Sequence, residues 1–262
     1  MLEIFPFDRH LPTNIVGRDQ GETDMQIPRY KPLDRKSHPP YVFPAYGSSV
    51  KRGPLRRLMP IQQSLSEITG PLFSDIRLDP GENDLSRNVD TGKEAIGERM
   101  IVVGKVMDEE ERPVPNSVIE IWQANAAGRY QHPVDQHNAP LDPNFTGAGR
   151  CVTNDRGEYR FLTIKPGAYP WLNHANAWRP AHIHLSLFGP SFVTRLVTQF
   201  FFPGDPLIPL DPILNSIPTR SGRQRLIAAY AHDVTEPEFA LGYRFDIVLR
   251  GRHATPFEGK RA

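Results

Sequence analysis

The sequence is poor in cysteine, in long apolar runs and in charge of one sign. A single cysteine, Cys151, occurs in 262 residues. One thiol makes no intrachain disulfide and no cysteine-rich zinc site. No window approaches the roughly 18 consecutive apolar residues of a membrane helix. The opening MLEIFPFDRH lacks the basic-then-apolar order of a signal peptide. A soluble protein of a reducing cytoplasm is the expectation. Lys and Arg number 31 against 30 Asp and Glu, a formal net charge of +1. That balance gives no electrostatic reason to expect nucleic acid. No internal repeat and no low-complexity block is visible.

Proline is abundant, with 27 residues spread along the chain. Hydrophobic residues make up 39% and charged residues 23%, so a packed core is feasible and global disorder is not indicated. Residues 1–60 show no sustained period and are broken by Pro28, Pro32, Pro39, Pro40, Pro44, Pro54 and Pro60. With Tyr30, Tyr41, Phe43 and Tyr46 among them, they read as an extended arm that needs a partner surface. Residues 61–262 form the expected main domain, with loop and a short helical turn over 65–90. From Glu98 onward, strands and turns alternate: ERMIVVGKVMD, SVIEIWQA, two strands around the Asn-Asp-Arg-Gly turn of CVTNDRGEYRFLTI, then HIHLSLF, VTRLVTQFFF and YRFDIVLRG. Apolar spacing predicts one helix over Arg223–His232. The fold class is therefore all-β, a two-sheet antiparallel sandwich with long loops.

In HIHLSLF, residues two apart share one face of a strand, about 7 Å apart at the Cα. Ile183, Leu185 and Leu187 take the core face. His182, His184 and Ser186 take the other, where two imidazoles can converge on one ion. The bland alternative is two histidines on a solvated face. The preceding WRPA, which contains Trp178 and Arg179, reads more like a pocket wall. Zinc would recruit a further His, Cys or carboxylate. A cupin-type site would want Glu where Phe188 stands. A ferrous facial triad needs a carboxylate, and none lies near this strand. Spacing alone leaves the remaining ligands open.

Six stretches carry a resemblance: IEIWQANAAGRY, LDPNFTGAGR, TIKPGAYPW, WRPAHIH, GDPLIP and YRFDIVLRG. In content, order and spacing, over about residues 46–251, they resemble the intradiol ring-cleaving dioxygenases, closest to the branch acting on 3,4-dihydroxybenzoate. The resemblance implies a mononuclear non-haem Fe(III) with Tyr130, Tyr169, His182 and His184 as ligands. Hard phenolate suits a hard trivalent cation. A free tyrosine has a pKa near 10, and a bound cation stabilises its anion. Two tyrosinates and a hydroxide would balance the ion's charge.

The resemblance further implies that Tyr169 is the releasable ligand and that Arg179 stabilises developing negative charge. It places Tyr46, Trp171, Gln199 and Ile213 around the substrate ring and its carboxylate. Trp122 is expected behind the metal, orienting a tyrosinate. The implied reaction uses O2 to cleave the ring between its hydroxylated carbons, giving 3-carboxy-cis,cis-muconate in aromatic catabolism. The implied partner is a homologous alpha subunit in an alpha-beta assembly, which the Pro-rich arm would wrap. Two rivals remain. Relatives that cleave catechol or hydroxyquinol have a helical N-terminal linker, which this Pro-broken N-terminus lacks. The other is a non-catalytic sandwich: an alpha-like scaffold should have lost some of the ligands, yet all four are in place, and a carbohydrate-binding module would be colourless and iron-free.

Overall fold

A computed structural model describes residues 38–57, 59, 77–189 and 196–257. The chain divides into Met1–Lys31 and Pro32–Ala262, and every described residue belongs to the second unit. Most of the arm expected over 1–60, and the loop expected over 65–76, lie outside the described residues. The described part of the arm carries one short helix, α1 (Gly47–Arg52).

The strands are β1 (Arg99–Met107), β2 (Val118–Trp122), β3 (Ala148–Val152), β4 (Glu158–Ile164), β5 (Tyr169–Pro170), β6 (Trp178–Arg179), β7 (His182–Phe188), β8 (Leu196–Phe201), β9 (Ala229–Tyr230), β10 (Leu241–Arg244) and β11 (Ile247–Val248). Two short helices follow β8: α2 (Pro212–Asn215) and α3 (Arg220–Gln224). One sheet runs β11-β1-β10-β9 with β4 on β1, and the other runs β3-β2-β7-β8. The second sheet is wholly antiparallel. The first is mixed, because β1 runs parallel to β10 and β11.

The expected sandwich is present, and alternation builds it. Met100 and Val102 of β1 and Phe161 of β4 form one core with Ile119, Ile121, Ile183, Leu185 and Phe200 of the second sheet. The expected turn between β3 and β4 also forms. Asn154 accepts from the backbone N–H groups of Arg156 and Glu158. The two strands do not pair with each other, since β3 joins β2 and β4 joins β1. The turn is a corner between sheets.

Two expectations need correction. The helix expected over Arg223–His232 starts earlier and stops at Gln224. Thr219 caps it by accepting from the Gly222 N–H at 3.1 Å. Beyond it, the Phe201 N–H donates to the Leu226 carbonyl and the Ala228 N–H to the Phe201 carbonyl, and β9 pairs with β10. Ladder bonds and the burial of Leu226 and Ala228 override helical spacing. The strand expected over YRFDIVLRG is interrupted at Phe245–Asp246. There the Phe245 carbonyl accepts from the Tyr159 hydroxyl, and the Asp246 carboxylate takes the Lys105 N–H at 2.9 Å. A Cβ on Gly104 would lie 1.9 Å from that carbonyl oxygen, so only glycine admits the approach.

Candidate metal centre and substrate pocket

The site is built on the face of the second sheet that points away from the core. Trp122, His184 and Gln199 stand directly opposite one another across β2, β7 and β8. His182, two residues before His184, shares their face and lies opposite Phe201. The face is not solvated: β7 is buried on both sides except at Phe188.

His182 and His184 bring their ring centroids to 4.8 Å. The Pro180 carbonyl lies 2.7 Å from Nδ1 of His182. It holds the proton on that nitrogen and leaves Nε2 with its lone pair. Burial keeps His182 well below the usual imidazole range, and the charges of Arg179 and His184 push the same way. The ring is therefore neutral and able to coordinate. Trp122 stacks on His184 with centroids 4.8 Å apart and planes 3° apart.

Two loops bring phenols to the imidazoles. Tyr169 opens β5, and its hydroxyl lies 3.4 Å from Nε2 of His182. Tyr130 meets Tyr169 edge-on at 5.3 Å and His184 at 6.5 Å between centroids. Asn125, buried three residues past β2, ties the two loops together. Its side-chain oxygen accepts from the N–H groups of Ala127 and Arg129, and its carbonyl accepts from those of Gly128 and Gly167. Asp135 then holds the Tyr130 N–H at 2.8 Å. Burial raises the Tyr169 pKa, opposed by the Arg179 charge and by hydrogen bonds from Arg179 and Tyr130. Without a cation, Tyr169 keeps its proton.

Among the described residues, no three His, Cys, Asp or Glu side chains converge as a metal set. The oxygen donors that meet the two imidazoles are phenols. Two imidazole nitrogens and two phenol oxygens suit a hard, highly charged cation better than zinc.

Residues 68–251 match the family model described as Dioxygenase, and residues 32–64 match that described as Protocatechuate 3,4-dioxygenase beta subunit N terminal. The chain is 58% identical over 227 residues to the protocatechuate 3,4-dioxygenase beta chain of Burkholderia cepacia, covering 87% of this chain and 96% of that one. The chain belongs to the protocatechuate 3,4-dioxygenase beta-chain family. It is also 34% identical over 166 residues to the alpha chain of Pseudomonas putida, covering 63% of this chain and 77% of that one. Among solved structures, it resembles hydroxyquinol 1,2-dioxygenase from Pseudomonas putida DLL-E4 at 26% identity, with a TM-score of 0.47 over 63% of this chain and 58% of that one.

In this member of the beta-chain family, Arg179 is 2% exposed and is gripped on several sides. Its Nε donates to Asp211 at 2.9 Å, and its Nη2 donates to Gln199 at 3.0 Å. Its Nη1 lies 3.3 Å from the Tyr169 hydroxyl and 3.0 Å from Nε2 of His182. The guanidinium also rides over the Trp171 ring at 5.4 Å. Trp171 packs on Tyr46 with centroids at 5.3 Å, and the Tyr46 hydroxyl accepts from Arg52. Asn173 links this wall to α1 by accepting from the Gly47 N–H and the Ser48 hydroxyl. Ile213 is buried on α2.

The structure thus brings Tyr130, Tyr169, His182, His184, Arg179, Gln199 and Trp122 into one cluster, with Trp171 and Tyr46 beyond Arg179. Sequence reasoning missed Asn125, Asp135 and Asp211. The Asp211-Pro212 pair does signal a helix start, but nothing local in it signals a partner for Arg179.

Proposed function

We propose that this chain is the catalytic beta chain of an alpha-beta protocatechuate 3,4-dioxygenase. It cleaves 3,4-dihydroxybenzoate with O2 between the two hydroxylated carbons and gives 3-carboxy-cis,cis-muconate. The observation that carries this reading is the meeting of two strand-borne imidazoles with two loop-borne phenols beside a buried arginine, in a chain 58% identical to such a beta chain. The residues that would hold a mononuclear ferric ion are Tyr130, Tyr169, His182 and His184. Bound there, ferric iron would supply Lewis acidity toward a catechol and act as an electron acceptor.

The remaining work belongs to this chain's side chains. With the cation bound, Tyr169 would be a phenolate, and its Oη could take a proton from a catechol hydroxyl as the substrate binds, so that negative charge is exchanged and not accumulated. Arg179 stays protonated at any working pH. Held beside Tyr169 and His182, it stabilises negative charge that develops on the ring and the oxygen-derived atoms. Gln199 fixes one edge of that guanidinium. Trp171 and Ile213 pack on the ring, and the Tyr46 hydroxyl, polarised by Arg52, donates to the substrate carboxylate. Trp122 fixes the plane of His184. Residues 1–60 act as an arm around the alpha chain, and 61–262 form the catalytic domain. Among the described residues no helix is long and apolar enough to cross a membrane, and one buried cysteine suits a cytoplasmic protein.

The test is co-expression with a candidate alpha chain. The expected product is a burgundy complex with one iron per beta chain, consuming one O2 per 3,4-dihydroxybenzoate and turning over catechol far more slowly. An iron-loaded complex inert toward 3,4-dihydroxybenzoate would overturn the reading. Faster turnover of catechol would reassign the substrate.

A further inference from the structure

Asp211 is a carboxylate with no exposed surface. A buried charge needs a partner and hydrogen bonds to be tolerated. Asp211 has both, divided between its two oxygens. Oδ2 takes the Nε–H of Arg179 at 2.9 Å. Oδ1 takes the N–H groups of Ile213 at 2.8 Å and Leu214 at 2.9 Å, capping α2.

The geometry around Arg179 gives this division a consequence. Its Nε edge is held by Asp211 and its Nη2 by Gln199. With two of its nitrogens anchored, the planar guanidinium cannot rotate, and Nη1 is left aimed at Tyr169 and His182. The same carboxylate fixes the start of the helix that carries Ile213. A shift of α2 and a shift of the guanidinium are therefore linked through one side chain.

We infer that Asp211 is a positioning residue, which holds Arg179 toward the reacting atoms and ties that orientation to the helix bearing Ile213. The inference rests on the dioxygenase reading for its kinetic consequence, while the Asp211–Arg179 coupling itself is measurable without turnover.

The test is Asp211→Asn, alone and combined with Arg179→Leu, in the alpha-beta complex. Asparagine keeps an oxygen for the Ile213 and Leu214 N–H groups but turns a donor toward Arg179 Nε. The expected result is wild-type iron content and visible absorption, a KM within about threefold of wild type and a kcat lower by at least about tenfold. In the Arg179→Leu background the same change lowers kcat by less than about twofold, because the group it positions is gone. In urea unfolding the double variant is as stable as Arg179→Leu or more so, since the unpaired buried carboxylate has been neutralised. Asp211→Ser, which also keeps a capping oxygen, repeats the kinetic test should the asparagine variant not fold.

A helix cap acting on its own would lower stability and leave kcat unchanged. That outcome overturns the inference, as do losses that simply multiply across the two backgrounds. The unfolding comparison needs no substrate, so a wild-type complex without activity would refute the dioxygenase reading and still leave the coupling measured.

Discussion

Gly128 sits where the two phenol-bearing loops cross, and replacing it by alanine tests how they are registered. Its φ is +77°, and a Cβ built there would lie 2.1 Å from the carbonyl oxygen of Ala168, the residue before Tyr169. The contact is reciprocal, because a Cβ on Gly167 would lie 2.6 Å from the Gly128 nitrogen. Left-handed backbone costs an alanine about 1–2 kcal/mol. Relieving the contact requires the loops to separate by about 1 Å, since an ordinary C···O approach is about 3.3 Å. Together these place the destabilisation at about 2–4 kcal/mol, or roughly 5–12 °C in melting temperature for a domain of this size.

The larger effect falls on the site. A shift of that size moves Tyr169 relative to Tyr130 and His182 by several times the tolerance of about 0.2 Å on a metal-ligand distance. Gly81→Ala is the control: its φ is +88° with nothing within 4 Å of a new Cβ, so it carries the backbone strain without the clash. Iron per chain, the visible charge-transfer band and the melting temperature should all fall in Gly128→Ala. In Gly81→Ala only the melting temperature should fall, by a few degrees. Stoichiometric iron with an unaltered band in Gly128→Ala would refute the idea that this crossing sets the two phenols.

Arg179→Leu should keep iron and colour but lower kcat by roughly a hundredfold or more. It should also cost about 3–5 kcal/mol in urea unfolding, because Asp211 is left buried and unpaired; loss of the iron would mean the arginine is structural. Trp122→Ala removes the ring stacked on His184 and should weaken iron retention against a chelator while leaving substrate KM nearly unchanged; unchanged chelation kinetics would remove Trp122 from the support of the site. Glu158 is held at about 2 by Arg156, then Asn154 and Lys105. Its folded pKa is depressed, so its contribution is present above the ordinary carboxylate value and is lost as pH falls toward about 2. Glu158→Gln should flatten the stability profile between about pH 4.5 and 2, and an identical acid profile would show that the β3–β4 corner does not depend on this charge.

Much of the fold was legible because strand burial has a period of two. Ile183, Leu185 and Leu187 face the core while His182 and His184 face away, and any register that buries the first set also pairs the second. The turn residues of Asn-Asp-Arg-Gly were equally plain, since their hydrogen bonds close within five positions. What those strands then pair with was not legible. β3 and β4 diverge into different sheets, and Ala229–Tyr230 becomes strand despite helical spacing. Each outcome is decided by partners far away in the chain.

The same division runs through the site. Local order alone determined that two imidazoles lie on one strand face, while only the resemblance to the intradiol dioxygenases implied which tyrosines and which arginine go with them. Only tertiary structure decided that Trp122 lies flat on His184, that Asn125 binds the two tyrosine loops and that Asp211 grips Arg179. Those contacts span from a few residues to 62 positions of chain, as between Trp122 and His184, and no local pattern encodes them. They exist because burying a charge, an amide or a ring obliges the fold to bring its partner to the same place.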